Sequence, residues 1–203
     1  MTTRFGFRTV LTIAAATIAG LTAIAHGETP LALGSTRITI SGTSNIHAYT
    51  ATTSTVRLVR AELAAAPADD LWSSMLTPGA IDALEIAIPA ASLTSPREGL
   101  DKNMHKALKV GEHADIVFRL ARVEALDGGA AKLTGTLTVA GVERDVTIDV
   151  RTARTAAGLV VSGQTTLLMT DFGIKPPTAM LGMLKTDPKV TVAFEATLRV
   201  PLT

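Results

Sequence analysis

The chain of 203 residues has no cysteine, which rules out disulfides, a thiol nucleophile, thiolate metal ligation and a lipid-modified N-terminal cysteine. Aromatic residues supply only 3% of it, too few for the platforms on which single-stranded nucleic acids and sugars stack. Charge of neither sign dominates. Nineteen Lys plus Arg against eighteen Asp plus Glu give +1 at neutral pH, so the chain lacks the basic footprint that nucleic-acid binding requires. Signatures of catalysis are missing as well. There is no Gly-x-Ser-x-Gly, no serine beside a histidine that would act as its base, and no glycine-rich dinucleotide or phosphate loop. Asp171-Phe172-Gly173 spells a kinase triplet without the rest of the kinase set, and turn chemistry explains it. Asp69 and Asp70 lie in a polar connection where solvation is the simpler role. The histidines His26, His47, His105 and His113 show no ligand spacing with a carboxylate, so they are read as structural or surface groups. The expectation is a protein that is not an enzyme and holds no metal and no cofactor.

Long hydrophobic runs are also scarce. The one present follows Arg4 and Arg8, covers Thr9 to Ala25 and ends in the small-residue pattern Ala23-Ile24-Ala25. Diluted by Thr and Gly, it falls short of the ~20 strongly apolar residues of a spanning helix and reads as a secretory signal peptide cut near Ala25. Residues 1–25 are therefore expected to be the leader and residues 26–203 one mature domain. That domain carries 17 basic against 18 acidic residues and is expected to be periplasmic or secreted.

What the chain does have is alternation. Val146, Ile148 and Val150, and again Val190, Val192, Phe194, Ala196, Leu198 and Val200, are apolar at every second position, the period of a strand with one face shielded from water. Strands are expected at about Thr36–Thr43, from Ile46 extended to about Ala61, and then at Ala83–Ile88, Ile116–Ala125, Lys132–Val139, Arg144–Arg151, Leu159–Leu168 and Val190–Val200. Asp127-Gly128-Gly129, Ala140-Gly141-Val142-Glu143 and Ala156-Ala157-Gly158 make the hairpins. Gly163 suggests a bend or bulge. A helical turn is expected around Trp72, and between Gly99 and Lys109 the period changes: Leu100, Met104, Ala107 and Leu108 form one face of an amphipathic helix. Seven or more strands in up-and-down order favour a closed or nearly closed barrel, which leaves no unpaired edges, over a two-layer sandwich.

One connection breaks the ordinary pattern. Met169 to Lys185 holds Met169, Phe172, Ile174, Met180, Leu181, Met183 and Leu184, far more apolar than a solvated loop. It is read either as a plug sealing one barrel end or as a flexible methionine-rich wall facing an apolar guest.

The chain resembles the YceI family of exported, lipid-binding proteins with a lipocalin-like barrel. The resemblance runs from about Thr36 to Leu202. It rests on the ordered series Ser44-Asn45-Ile46-His47, Ala91-Ser92-Leu93-Thr94-Ser95, the helix around Asp101 to Leu108, His113-Ala114-Asp115-Ile116-Val117-Phe118, Gly135-Thr136-Leu137-Thr138-Val139-Ala140-Gly141-Val142 and Thr170-Asp171-Phe172-Gly173-Ile174. It implies an all-β fold with one short helix, an extended eight-stranded antiparallel barrel whose tunnel takes a long isoprenoid chain, such as an isoprenoid quinone or polyprenyl lipid, without covalent chemistry. It also implies transient contact with a membrane or a membrane b-type cytochrome. Two features depart from the family: Ala114-Asp115 stands where a proline is common, and the tunnel has fewer aromatics, which points to a narrower, more aliphatic bore.

By strand parity the wall is assigned to Ile38, Ile40, Val56, Leu58, Leu84, Ile86, Ile116, Phe118, Leu137, Val146, Ile148, Val192 and Phe194, with Phe172, Met180 and Met183 at the mouth or lid. The expected product is a monomeric or homodimeric binding protein for an apolar lipid. The competing reading is an exported structural or partner-binding β domain with a packed core, whose apolar loop near Met180 docks on another protein.

Overall fold

The computed structural model describes residues 31–64, 71–179 and 183–200; the leader, Asp69, Asp70 and Met180 lie outside them. Ten strands, β1 (Ala32–Ser44), β2 (Ala48–Thr53), β3 (Arg57–Leu63), β4 (Ile81–Pro89), β5 (Asp115–Ala125), β6 (Ala130–Val139), β7 (Val142–Thr155), β8 (Gly158–Leu168), β9 (Thr178–Ala179) and β10 (Leu184–Arg199), form a strongly curled antiparallel sheet. Two helices, α1 (Leu71–Met75) and α2 (Glu98–Ala107), accompany it. The strand order is β2-β1-β10-β8-β7-β6-β5-β4-β3, and β9 pairs only with the start of β10.

The two ends of that order are neighbours in the chain. β2 and β3 are halves of one bent segment: the first half pairs with β1 and the second with β4, so the sheet comes round on itself through residues 54–56. The bend has a local cause. Thr53 Oγ1 takes the Thr55 N–H, and Ser54 O accepts from Thr36 Oγ1, so backbone groups that a continuous ladder would use are satisfied by side chains. Reciprocal bonds between Thr52 and Thr94, at 2.8 and 3.0 Å, then tie the free edge of β2 to the chain just beyond β4. This corrects the sequence expectation of one extended stretch to Ala61 and of eight strands; the bend, together with the two-residue β9, brings the number to ten.

Turn chemistry matches the sequence. Ala140 and Gly141, at φ 50° and 81°, are both left-handed, as a two-residue hairpin needs to match strand twist. Gly163, in contrast, makes no bulge: Val150, Gly163 and Phe194 stay in register across three strands. Its role is close approach, since a Cβ there would meet the Asp149 carbonyl at 2.8 Å and the Phe194 ring at 3.1 Å. The register shifts that help bend the sheet lie elsewhere, near Val59 in β3 and Ala121 in β5.

The core is split. One buried cluster sits where β5 begins and β6 and β8 end, and joins Ala90, Leu93, Leu108, Ile116, Val139, Ala140, Phe172 and Ile174, with Met104 and Ala107 of α2 packed on it. The other lies at the opposite end of the strands and joins Leu31, Ala61, Met75, Leu159 and Leu198, with Trp72 of α1 beside them. Both ends are packed, and the middle is not.

Candidate functional site

Between the two clusters runs a cavity of about 560 Å³, within the roughly 300–1,000 Å³ range of small-molecule sites. Ile38, Ile86, Phe118, Ile148, Val192 and Phe194 point into it and are only half-buried, although their parity turns them away from bulk solvent. Residues of β10 from Thr186 to Leu198 line it; twelve residue steps at ~3.3 Å, tilted as in a barrel, make a tunnel on the order of 30 Å long.

Eleven of the thirteen wall positions assigned from parity line this cavity: Ile38, Ile40, Val56, Leu84, Ile86, Ile116, Phe118, Leu137, Ile148, Val192 and Phe194. Leu58 faces inward, in register opposite Ile86, but packs against the α1-end cluster and is not part of the lining. Val146 is half-buried but is not part of the lining. Phe172 lines the cavity and is 4% exposed, held in the α2-end cluster as a plug rather than at an open rim. Met183, 67% exposed, lies outside the lining. The apolar connection is thus covered where Met169, Phe172 and Ile174 meet the barrel, and uncovered at Met183.

Parity missed the contributions of α2. Leu100, Met104, Ala107 and Leu108, recognised as the apolar face of a helix, form part of the wall, and the only available signal was that face itself, since nothing local says which sheet it covers. Also missed was the polar end of the tunnel, where Ser44, His47, Tyr49, Arg97, Asn103, Thr178 and Thr186 line the opening. The turn before β2 builds this rim. Ser44 Oγ accepts the N–H groups of Ile46 and His47, and the Asn45 amide bonds the Met183 carbonyl and the Lys185 N–H, stitching the turn to the start of β10. His47 Nε2 lies 2.8 Å from Arg97 Nη1; the guanidinium can only donate, so the ring nitrogen is the acceptor of this contact. Burial, and secondarily the Asp187 carboxylate, raise the Tyr49 phenol above its ordinary pKa, so it stays a protonated donor at neutral pH.

Few as the aromatics are, four of the seven, Tyr49, Phe118, Phe172 and Phe194, line the tunnel, so the bore is less purely aliphatic than composition implies. Phe118 and Phe194 lie over Gly135 and Gly163, and Tyr49 lies over Gly42; missing side chains make room for rings folded flat against the wall. In place of the proline, Asp115 accepts from Arg57 at 2.6 Å and the Ala114 carbonyl accepts from the Ala90 N–H at 2.8 Å. Among the described residues no group of three metal-ligating side chains converges. His105 Nε2 bonds the Leu93 carbonyl at 2.8 Å and the His113 ring abuts Gly141, which are structural positions.

A curled antiparallel sheet that surrounds an apolar void, packed at both ends and polar at one rim, defines a hollow β-barrel. The comparisons make this specific: residues 32–198 match the YceI-like domain, and the chain belongs to that family. BcnA of Burkholderia cenocepacia has a similar structure, with a TM-score of 0.64 at 12% identity, over 81% of this chain and 96% of that one. A polyisoprenoid binding domain from Saccharophagus degradans, implicated in plant cell wall breakdown, gives 0.63 at 12% identity over 86% and 100%. The YceI protein of Campylobacter jejuni gives 0.52 at 18% over 73% and 85%. No curated protein matches the sequence significantly.

Proposed function

We propose that this protein binds a long apolar lipid, of the isoprenoid quinone or polyprenyl type, inside its tunnel, without catalysing a reaction, in the periplasm or outside the cell. The observation that carries the reading is the apolar cavity of about 560 Å³ left between two well-packed ends. A domain that needed only stability would fill that space, because a void forfeits dispersion contacts along its whole lining. The polyisoprenoid binding domain of Saccharophagus degradans, similar in fold, supports the prenyl class. The N-terminal run after Arg4 and Arg8 supports export.

The energetics suit such a guest. A chain that removes about 400 Å² of apolar surface from water gains about 10 kcal/mol at ~25 cal/mol per Å², which offsets an association cost of about 4–15 kcal/mol. Specificity then comes from tail length and shape more than from polar contacts. Native mass spectrometry and organic extraction of protein purified from its own host test the proposal: a stoichiometric co-purifying lipid is the expected result. A reproducibly empty protein that also takes up no prenyl lipid in vitro would sink it and return the fold to the structural or partner-docking reading.

A further inference from the structure

The tunnel is chemically lopsided, and its one polar end bears on what its ligand carries. Along the walls the groups are aliphatic or aromatic; at the rim the Arg97 guanidinium, the Tyr49 hydroxyl and the Asn103 amide line the same opening. Among the described residues Arg97 has no carboxylate within ion-pair distance; its side-chain partner is the His47 ring. On the outer barrel Arg57, Arg60, Arg119 and Arg122 pair with acids, and Arg37, Arg144, Arg151 and Arg199 have no such pair among the described residues; what sets Arg97 apart is that it lines the cavity. The remaining charged residue in the lining, Glu195, sits opposite Arg37 and Ser162 at outward parity and is exposed. The cavity thus has one charged group at its polar end, and it is a cation.

Resting on the tunnel-binding reading above, we infer that the ligand is an amphiphile with an oxyanion head, a phosphate or a carboxylate, held at the rim by Arg97 while its tail fills the barrel. A guanidinium presents several N–H donors in a fixed fork, and one nitrogen directed at His47 leaves others for two oxygens of the head. Tyr49 and Asn103 add donors on the same rim. A neutral alcohol or a quinone carbonyl would use one of these donors and leave the charge unmatched. Opposing charge is present: Glu98 and Asp101 on the first turn of α2 and Asp187 beside Tyr49. Asp101 is engaged by the Ser95 N–H at 2.8 Å, and Glu98 and Asp187 are exposed, where solvent and salt screen them.

Geranylgeranyl monophosphate and geranylgeraniol share one tail and differ only in the head, as do palmitate and its methyl ester. Binding of each to the purified protein is measured by native mass spectrometry and by tryptophan fluorescence or calorimetry. The charged member of at least one pair is expected to bind about tenfold tighter or more, with the phosphate and carboxylate arms telling which head is preferred. The preference should shrink with added salt. Arg97→Gln should bring the ratio of charged to neutral ligand close to one, and Arg97→Lys should retain most of it. Asp187→Asn should raise it. Equal binding of charged and neutral members by the wild-type protein, or a ratio untouched by Arg97→Gln, would overturn the inference while leaving the tunnel reading intact. If none of the four ligands binds, the tunnel reading itself fails and this inference with it.

Discussion

Replacing Val192 by Phe places a larger side chain in the middle of the tunnel. Val192 stands on β10 between Ile40 of β1 and Thr165 of β8, its side chain in the cavity lining and only half-buried. In a filled core the added ring would force neighbours off their rotamers and cost about 1–3 kcal/mol. Here it has empty space to enter. Some 50 Å² of additional apolar surface shielded by the barrel is worth about 1 kcal/mol at ~25 cal/mol per Å², and Phe is as compatible with a strand as Val. The expected change is therefore between zero and about 1 kcal/mol of stabilisation. Ala61→Phe is the control. Ala61 is 4% exposed, packed with Met75, Leu159 and Leu198 at the α1 end, and the same ring there should cost about 1–3 kcal/mol. The two variants should thus differ by about 1–4 kcal/mol, on the order of 2–16 °C in Tm for a chain of this size. Equilibrium urea unfolding with parallel thermal scans reads the difference. A Val192→Phe variant that loses more than about 1 kcal/mol, or matches Ala61→Phe, would show that the barrel centre is packed. In the same variant the bound lipid should fall in amount or shift to shorter tails.

Leu31, 3% exposed in the α1-end cluster and outside the cavity lining, should cost about 2–5 kcal/mol when replaced by Ala, whereas Ile86→Ala on the tunnel wall should cost roughly half as much, because one side of that residue already lacks partner atoms; equal losses by urea denaturation would contradict the division between packed ends and open middle. Gly163→Ala should destabilise by about 1–3 kcal/mol, since its Cβ would press on the Asp149 carbonyl and the Phe194 ring; an unchanged Tm would show that the ring does not lie against β8. Tyr49 is the single tyrosine, so phenolate absorbance reports it alone: its titration midpoint should lie above the ordinary value, because burial and then Asp187 raise it. A pKa raised on folding means that this contribution to stability is complete below pH ~10 and is lost as pH rises through the native value. Tyr49→Phe should remove that part of the alkaline loss, and a midpoint at or below the ordinary value would show the phenol to be solvated.

Local pattern carried much of the fold. Period-two alternation located β4 to β8 to within a few residues and the greater part of β10, though neither the two-residue β9 nor the early start of β10 at Leu184. The Leu100, Met104, Ala107 and Leu108 stripe marked α2, and Ala140-Gly141 announced its hairpin, because strand faces, helix faces and left-handed turns are decided by neighbours in the chain. Parity also gave most of the tunnel wall. Parity set Leu58 on the inner face, opposite Ile86, but could not tell that it packs in the α1-end cluster rather than on the tunnel wall; and the bend or bulge expected at Gly163 gives way to a ring delivered from β10, thirty-one residues further along the chain.

Which end of the barrel is polar, and whether its centre is filled, were decided only in three dimensions. Residues such as Ile86 and Leu31 are equally apolar in sequence, yet one borders the cavity and the other is packed in the α1-end cluster outside its lining. The difference arises because α2 and the 169–174 turn close one end and α1 the other, leaving no element long enough to fill the space between. The rim has the same origin: His47 and Arg97, fifty positions apart, meet only because β2 bends away from β3 and the chain beyond β4 returns across it. A sequence dictates which face of each strand is apolar; the distance between opposing faces, and hence the hollow, is set by sheet closure and by what packs into its ends.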